Sequence, residues 1–229
     1  MVEASEYLER VKQSIVDGDD HESVQASADA LAAGIDPQAI LNDGLMAGAD
    51  VIGKLFEAGE YFLPELMLAG RALKAAMAVV EPVLQAKYAG VQNVSDTGIV
   101  VMATVQTDIH DIGKNIVASM LTASGFTVTD LGVNVPIKDI VSKAQELNAN
   151  LIGLSALLTT SMPFMKELLK LLDQMGERAR FKVMVGGASV TPEWATAIGA
   201  DGTAPNAIQA VALAQRLIRL QRQEREATG

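Results

Sequence analysis

The chain has no cysteine. Disulfides, zinc–thiolate sites and cysteine-held iron–sulfur clusters are therefore excluded, and the absence fits a reducing compartment such as the cytoplasm. Histidine is scarce too: only His21 and His110 occur, so a metal site using several imidazoles has little to draw on. Basic residues are in deficit, 18 Lys and Arg against 28 Asp and Glu, for a net charge of -10. Phosphate binding needs clustered Lys and Arg, so nucleic acid is not an expected partner. Gly, Lys, Glu or Asp interrupts every apolar run before it reaches the length of a membrane helix. The acidic start, Met1 to Glu6, lacks the basic-then-apolar order of a signal peptide. These absences point to a soluble cytoplasmic protein without a membrane partner.

What is present is ample apolar material, 49% of 229 residues, enough for two compact domains. Residues 1–90 read as helices only, over 4–16, 21–33, 36–56 and 63–87, with Asp36 as an N-cap before Pro37 and a break at Glu57-Ala58-Gly59-Glu60. Four helices joined by short turns predict an antiparallel four-helix bundle. The polar stretch 91–97 reads as a linker and a natural hinge. From residue 98 to 229, short apolar runs at 98–103, 127–130, 151–154 and 182–185, with a weaker fifth at 199–203, alternate with helical patterns. This alternation predicts an α/β domain: a flavodoxin-like (Rossmann-type) doubly wound fold with a five-stranded parallel sheet, binding ligands beyond the C-terminal strand ends. The first 90 residues carry 15 acids and 6 bases, the remainder 13 and 12. The acidity therefore lies on the helical half, as a solvated face or as a docking surface for a basic partner.

His21 opens an acidic helix and reads as a surface residue. His110 follows the first predicted strand, in Thr107-Asp108-Ile109-His110-Asp111-Ile112-Gly113-Lys114-Asn115. An imidazole two residues from a carboxylate can have one ring nitrogen bonded and its tautomer fixed, leaving the other nitrogen as ligand or base. A loop histidine merely satisfied by Asp108 is the blander alternative, and a metal site of His110, Asp108 and Asp111 another. Asp111 can cap the following helix, and Gly113 allows close backbone approach.

The wider pattern is more specific. Asp108-x-His110-x-x-Gly113, then Ser155-x-Leu157 after the third strand and Gly186-Gly187 after the fourth, form the cobalamin-binding signature, in order and at strand ends. The stretch Asp108–Val117 resembles cobalamin-dependent methionine synthase, as do Asp130-Leu131-Gly132-Val133 and Ile152-Gly153-Leu154-Ser155. Leu55-Phe56-Glu57-Ala58-Gly59-Glu60-Tyr61-Phe62-Leu63-Pro64 is similar to the helical cap preceding that enzyme's cobalamin domain. The length resembles the free-standing corrinoid proteins of methyltransferase systems serving methylamines, methanol, glycine betaine or methoxyaromatics.

That resemblance implies a cobalamin or related corrinoid, methylcobalamin in one state, with its own base displaced and His110 as the ligand to cobalt. It implies a relay from His110 through Asp108 to Ser161, coupling reduction to proton uptake. It places Asp111, Ile112, Gly113, Ser155, Leu157, Thr159, Gly186 and Gly187 around the cofactor and its nucleotide tail, where a glycine Cβ would obstruct. Phe56, Leu63 and Leu66 match cap positions over the cobalt face. The implied function in one-carbon metabolism is methyl carriage: cobalt(I) accepts a methyl group through a substrate-specific methyltransferase, and methyl-cobalt(III) gives it to tetrahydrofolate or coenzyme M through an acceptor methyltransferase. A reductive activator is the third implied partner. The chain then acts as a non-autonomous corrinoid subunit, because cobalt supplies the nucleophile. Three rivals differ in one feature each. A carbon-skeleton mutase subunit lacks the Phe-Glu-x-Gly-Glu-x-Phe-Leu-Pro cap, a cobalamin-sensing regulator needs a DNA-binding module, and a response regulator leaves Ser155-x-Leu157 unexplained.

Overall fold

The structure, a computed structural model, describes residues 4–88 and 97–228, Tyr88 and the last three without side chains. The chain divides into two compact units, Met1–Lys87 and Tyr88–Gly229. The linker expected at 91–97 lies, apart from Thr97, outside the described residues.

The first unit is helical: α1 (Ala4–Val16), α2 (Asp20–Ala32), α3 (Pro37–Ala39), a π-helical stretch Ile40–Met46, α4 (Ala47–Glu57) and α5 (Leu63–Tyr88). Asp19 caps α2 by accepting the Glu22 N–H at 2.9 Å, and Asp36 caps α3 by accepting that of Gln38 at 3.0 Å, each satisfying a donor the helix cannot. The helix expected over 36–56 is thus one run from Pro37 to Glu57 in which seven residues are wound as π-helix. Its glycines meet α1 closely. A Cβ on Gly44 would lie 2.8 Å from Val11 Cγ1, and one on Gly48 2.8 Å from the Lys12 carbonyl oxygen. Gly59, at φ +74°, ends α4, and the Glu60 N–H closes on the Leu55 carbonyl at 2.9 Å.

The second unit alternates strands and helices: β1 (Ile99–Thr104), α6 (Ile112–Ala123), β2 (Thr127–Asp130), α7 (Ile137–Glu146), β3 (Leu151–Ser155), α8 (Met162–Gln174), β4 (Lys182–Gly186), α9 (Pro192–Ala197), β5 (Gly202–Thr203) and α10 (Ala207–Thr228). All pairings are parallel, in the order β2-β1-β3-β4-β5. This is the flavodoxin-like arrangement, with its topological switch between β1 and β3. Alternating side chains feed two cores, as the two-residue strand period requires. Val101, Ala103, Ile152, Leu154, Val183 and Val185 pack with α7 and α8 on one face. Val100, Met102, Leu151 and Met184 pack with Leu121 of α6 and Leu217 of α10 on the other. The register sets Thr104 beside Ser155 and Ser155 beside Gly186, so the strand ends that carry the sequence signature form one row. Among the described residues no helix is long and apolar enough to cross a membrane.

Candidate functional site

The site begins where β1 stops. Thr104 is fully buried, and its hydroxyl donates to the His110 carbonyl at 2.9 Å, tying the far end of the loop to the strand. Asp108 is also fully buried. Its Oδ1 accepts the His110 backbone N–H at 3.0 Å and lies 2.6 Å from His110 Nδ1. Its Oδ2 accepts the N–H groups of Leu157 at 2.7 Å and Leu158 at 3.0 Å, from the loop after β3. Burial pushes the Asp108 carboxyl up, but the N–H groups of Leu158, His110 and Leu157, with the His110 ring, overcome it and hold the carboxyl below the ordinary range. An ionised Asp108 only accepts, so in a neutral His110 ring Nδ1 carries the proton and Nε2 the lone pair. The His110 side chain is 48% exposed, and Nε2 has no hydrogen-bond partner among the described residues. The arrangement presents one oriented nitrogen donor to whatever lies beyond the sheet edge.

Two expectations are corrected here. Ser161 does not extend the relay from Asp108: its Oγ lies 3.0 Å from Thr107 Oγ1. The physical reason is saturation, because a carboxylate offers about four acceptor positions and Asp108 already receives four bonds. Asp111 does not cap α6 with its side chain. Its backbone, at φ -125° and ψ -12°, departs from the extended conformation that aims a capping oxygen at the helix.

Ile112 opens α6 half-buried, and Gly113 beside it is exposed. A Cβ on Gly113 or Gly186 would meet nothing within 4 Å. Gly187 differs: at φ +131° its Cβ would fall 1.9 Å from the Ala156 carbonyl oxygen. Glycine at 187 is therefore required by the protein's own backbone, whatever ligand is bound. Ser155 ends β3 half-buried, while Leu157 and Thr159 are exposed on the following loop. In the helical unit, Phe56 on the last turn of α4 is 45% exposed and Leu63 at the start of α5 63%, with Leu66 half-buried. His21 is exposed on α2.

Sequence reasoning missed several groups. Asn134, after β2, accepts the Thr107 N–H at 2.8 Å through Oδ1. Ser189, after β4, donates to the Leu157 carbonyl at 2.7 Å. Lys114, its side chain almost completely buried, pairs with Asp130 and donates to Asn115 Oδ1 at 2.7 Å. Phe62 and Met67 are as exposed as Leu63. Their signals were faint: Asn134 sits in Gly132-Val133-Asn134-Val135-Pro136, which reads only as a turn.

Known proteins supply the rest. The B12 binding domain model matches residues 98–212, and a second B12 binding domain model matches residues 7–81. The chain belongs to the B12-binding corrinoid proteins. This corrinoid protein is 43% identical over 218 residues to dimethylamine corrinoid protein 2 of Methanosarcina mazei, an alignment covering 95% of this chain and 100% of that one. It is 41% identical to a corrinoid protein of Desulfitobacterium hafniense, covering 92% of this chain and 97% of the relative. Among solved structures, the monomethylamine corrinoid protein of Methanosarcina barkeri matches with a TM-score of 0.85 at 35% identity, over 94% of this chain and 100% of that one.

The residues fit a corrinoid. Its macrocycle would supply most of the metal's nitrogens, leaving the protein a single donor to offer, and the exposed His110 ring, oriented by Asp108, would suit that place. No group of three or more His, Cys, Asp or Glu able to hold a bare metal ion occurs among the described residues. The open space at Gly113 and Gly186 is of the kind a bulky cofactor needs. The cofactor of this corrinoid protein is cobalamin or a related corrinoid.

Proposed function

We propose that this corrinoid protein is a methyl carrier working between two methyltransferases, with His110 as the axial ligand to cobalt. The carrying observation is His110 Nδ1 at 2.6 Å from the buried Asp108, with Nε2 left free. When bound, the corrinoid supplies the metal centre that takes up and releases the methyl group. The chain's own contribution is to bind and orient. Asp108 holds the imidazole tautomer, and the backbone N–H groups of Leu157 and Leu158 hold Asp108. Ser155, Leu157, Thr159, Gly186 and Gly187, at or just beyond the ends of β3 and β4, line the path for the nucleotide tail, and Asp111, Ile112 and Gly113 flank the corrin. By the resemblance, Phe56, Leu63 and Leu66 are the apolar residues of the helical unit that would serve as a lid. The helical unit, about residues 1–90, acts as the cap module.

Methylated amines are the donors to test first, because the relative matching over its whole length is a dimethylamine corrinoid protein. A solved methanol:cobalamin methyltransferase complex also matches, at 27% identity and a TM-score of 0.51, over 96% of this chain and 84% of that one. It supports a methyltransferase as the first partner. A second methyltransferase passing the group to tetrahydrofolate or coenzyme M, and a reductive activator, complete the scheme.

The test is reconstitution with methylcobalamin and comparison of absorption spectra for wild type and His110→Ala. The wild type is expected to show a histidine-ligated spectrum and the variant to lose it. Identical spectra would overturn the assignment of His110.

A further inference from the structure

We propose that Asn134 is a positioning residue for His110: its side chain clamps Thr107 in a left-handed turn that delivers Asp108, and through Asp108 the imidazole. The inference rests on the reading of His110 as cobalt ligand.

Thr107 has φ +71°. A β-branched residue there is an outlier, because Cβ crowds the following carbonyl. Such strain persists only where surrounding bonds fix it. Two groups do so. Asn134 Oδ1 accepts the Thr107 N–H at 2.8 Å, and the Ser161 hydroxyl pairs with that of Thr107 at 3.0 Å. Asn134 also returns a bond, its own N–H donating to the Asp108 carbonyl at 2.9 Å. Asn134 is itself left-handed, at φ +53°, a conformation asparagine tolerates.

The clamp stands on firm ground. Beyond β2 the chain continues along β1: the Thr104 N–H donates to the Gly132 carbonyl at 2.9 Å, the Val135 N–H to the Thr104 carbonyl at 3.1 Å, and Val135 bridges to Val105. At the start of this segment Asp130 pairs with the buried Lys114 and accepts the Gly132 N–H at 2.9 Å. The segment bearing Asn134 is thus fixed at both ends, and the strained partner is the one that must move if the clamp is lost. Relaxing Thr107 to negative φ swings the next residue, Asp108, off the Leu157 and Leu158 N–H groups. The asparagine side chain is exposed, so its removal opens no core.

The experiment uses full-length protein carrying 15N-labelled histidine, loaded with cobalamin and reduced to the cobalt(II) form. Paramagnetic resonance then separates a 15N ring ligand, which splits each line in two, from the cofactor's own 14N base, which splits it in three. Wild type should show the two-line pattern and His110→Ala should not; failure there overturns the ligand reading itself. Given that pattern, Asn134→Ala should lose at least half of the two-line signal, and Asn134→Asp, which keeps the acceptor oxygen, should restore it. In the cofactor-free protein, amide exchange at Thr107, Asp108 and His110 should run at least tenfold faster in Asn134→Ala, with β3 amides unchanged. This second arm decides the clamp independently of the metal. A wild-type signal and wild-type exchange in Asn134→Ala would overturn the proposal.

Discussion

Asp29 in the helical unit and Asp108 in the sheet unit are both carboxylates held below the ordinary range, by different means. For Asp29 the Arg10 guanidinium does most of the work, followed by the Gln25 amide. The Arg10 and Asp29 side chains are 41% and 38% exposed, so solvent and salt screen the pair and its contribution to stability is small. Asp108 is sealed from water, and its charge is kept only because N–H donors overcome the desolvation that opposes it. The comparison separates a surface ion pair, which can be lost without consequence, from a charge whose persistence orients a neighbour.

The strongest way to break that distinction is Asp108→Ala. It leaves the N–H groups of His110, Leu157 and Leu158 without their acceptor, and we expect the sheet unit to lose about 3 kcal/mol. Trp194, the one tryptophan, packs against the sheet core and reports the loss as a lower urea midpoint in fluorescence. Asp29→Ala should leave amide exchange in α1 and α2 unchanged, and comparable losses at both sites would erase the contrast. The pH dependence follows in sign. The folded carboxyl of Asp108 titrates below its unfolded value. Its stabilisation is therefore complete above the ordinary carboxylate range and is lost as pH falls through the lowered value. The Trp194-reported midpoint should fall more steeply between about pH 5 and 3 in wild type than in Asp108→Asn.

The two adjacent glycines sharpen the contrast between folding and binding. Gly187→Ala, with its Cβ driven into the Ala156 carbonyl, should cost about 2 kcal/mol in the same measurement. Gly186→Ala, which meets nothing, should stay within about 0.5 kcal/mol yet weaken cobalamin binding in a titration about tenfold, the loss of roughly 1.4 kcal/mol. The smallest effect is expected in the helical unit. Phe62 is 63% exposed, and Phe62→Ser should change thermal stability by less than about 0.5 kcal/mol. A large loss would show that the residue belongs to the fold.

The parallel sheet was legible because β1, β3 and β4 are short apolar runs bounded by turns and alternating with helical patterns. His110 and Asp108 were legible because their spacing recurs in a known family. The bonding beyond them was not. Ser161 meets Thr107 while Asp108 is filled by backbone N–H groups from another loop, and neither those bonds nor a threonine at positive φ leaves a mark in composition or spacing. Asn134 is silent for a related reason: its partner lies 27 residues away on another loop. The requirement for glycine at 187 was visible, but its cause was attributed to a ligand tail when the nearest obstacle is the Ala156 backbone. The π-helical winding was hidden because Ile40, Leu41 and Leu45 suit either winding.

That winding has a consequence for phase. A π turn carries more residues than the 3.6 of an α turn, so Ile40–Met46 resets the angular position of everything after it. Deleting one residue there, Asn42 for example, would let the rod from Pro37 to Glu57 close as a plain α-helix, and because the wider π winding had absorbed about one residue's worth of rotation, α4 would keep nearly its present facing. Gly48 would still face α1 and Phe56 would keep its sector, whereas the same deletion within α4 itself would turn everything after it by about 100°. Tolerance to deletion in this helix is governed by angle rather than length.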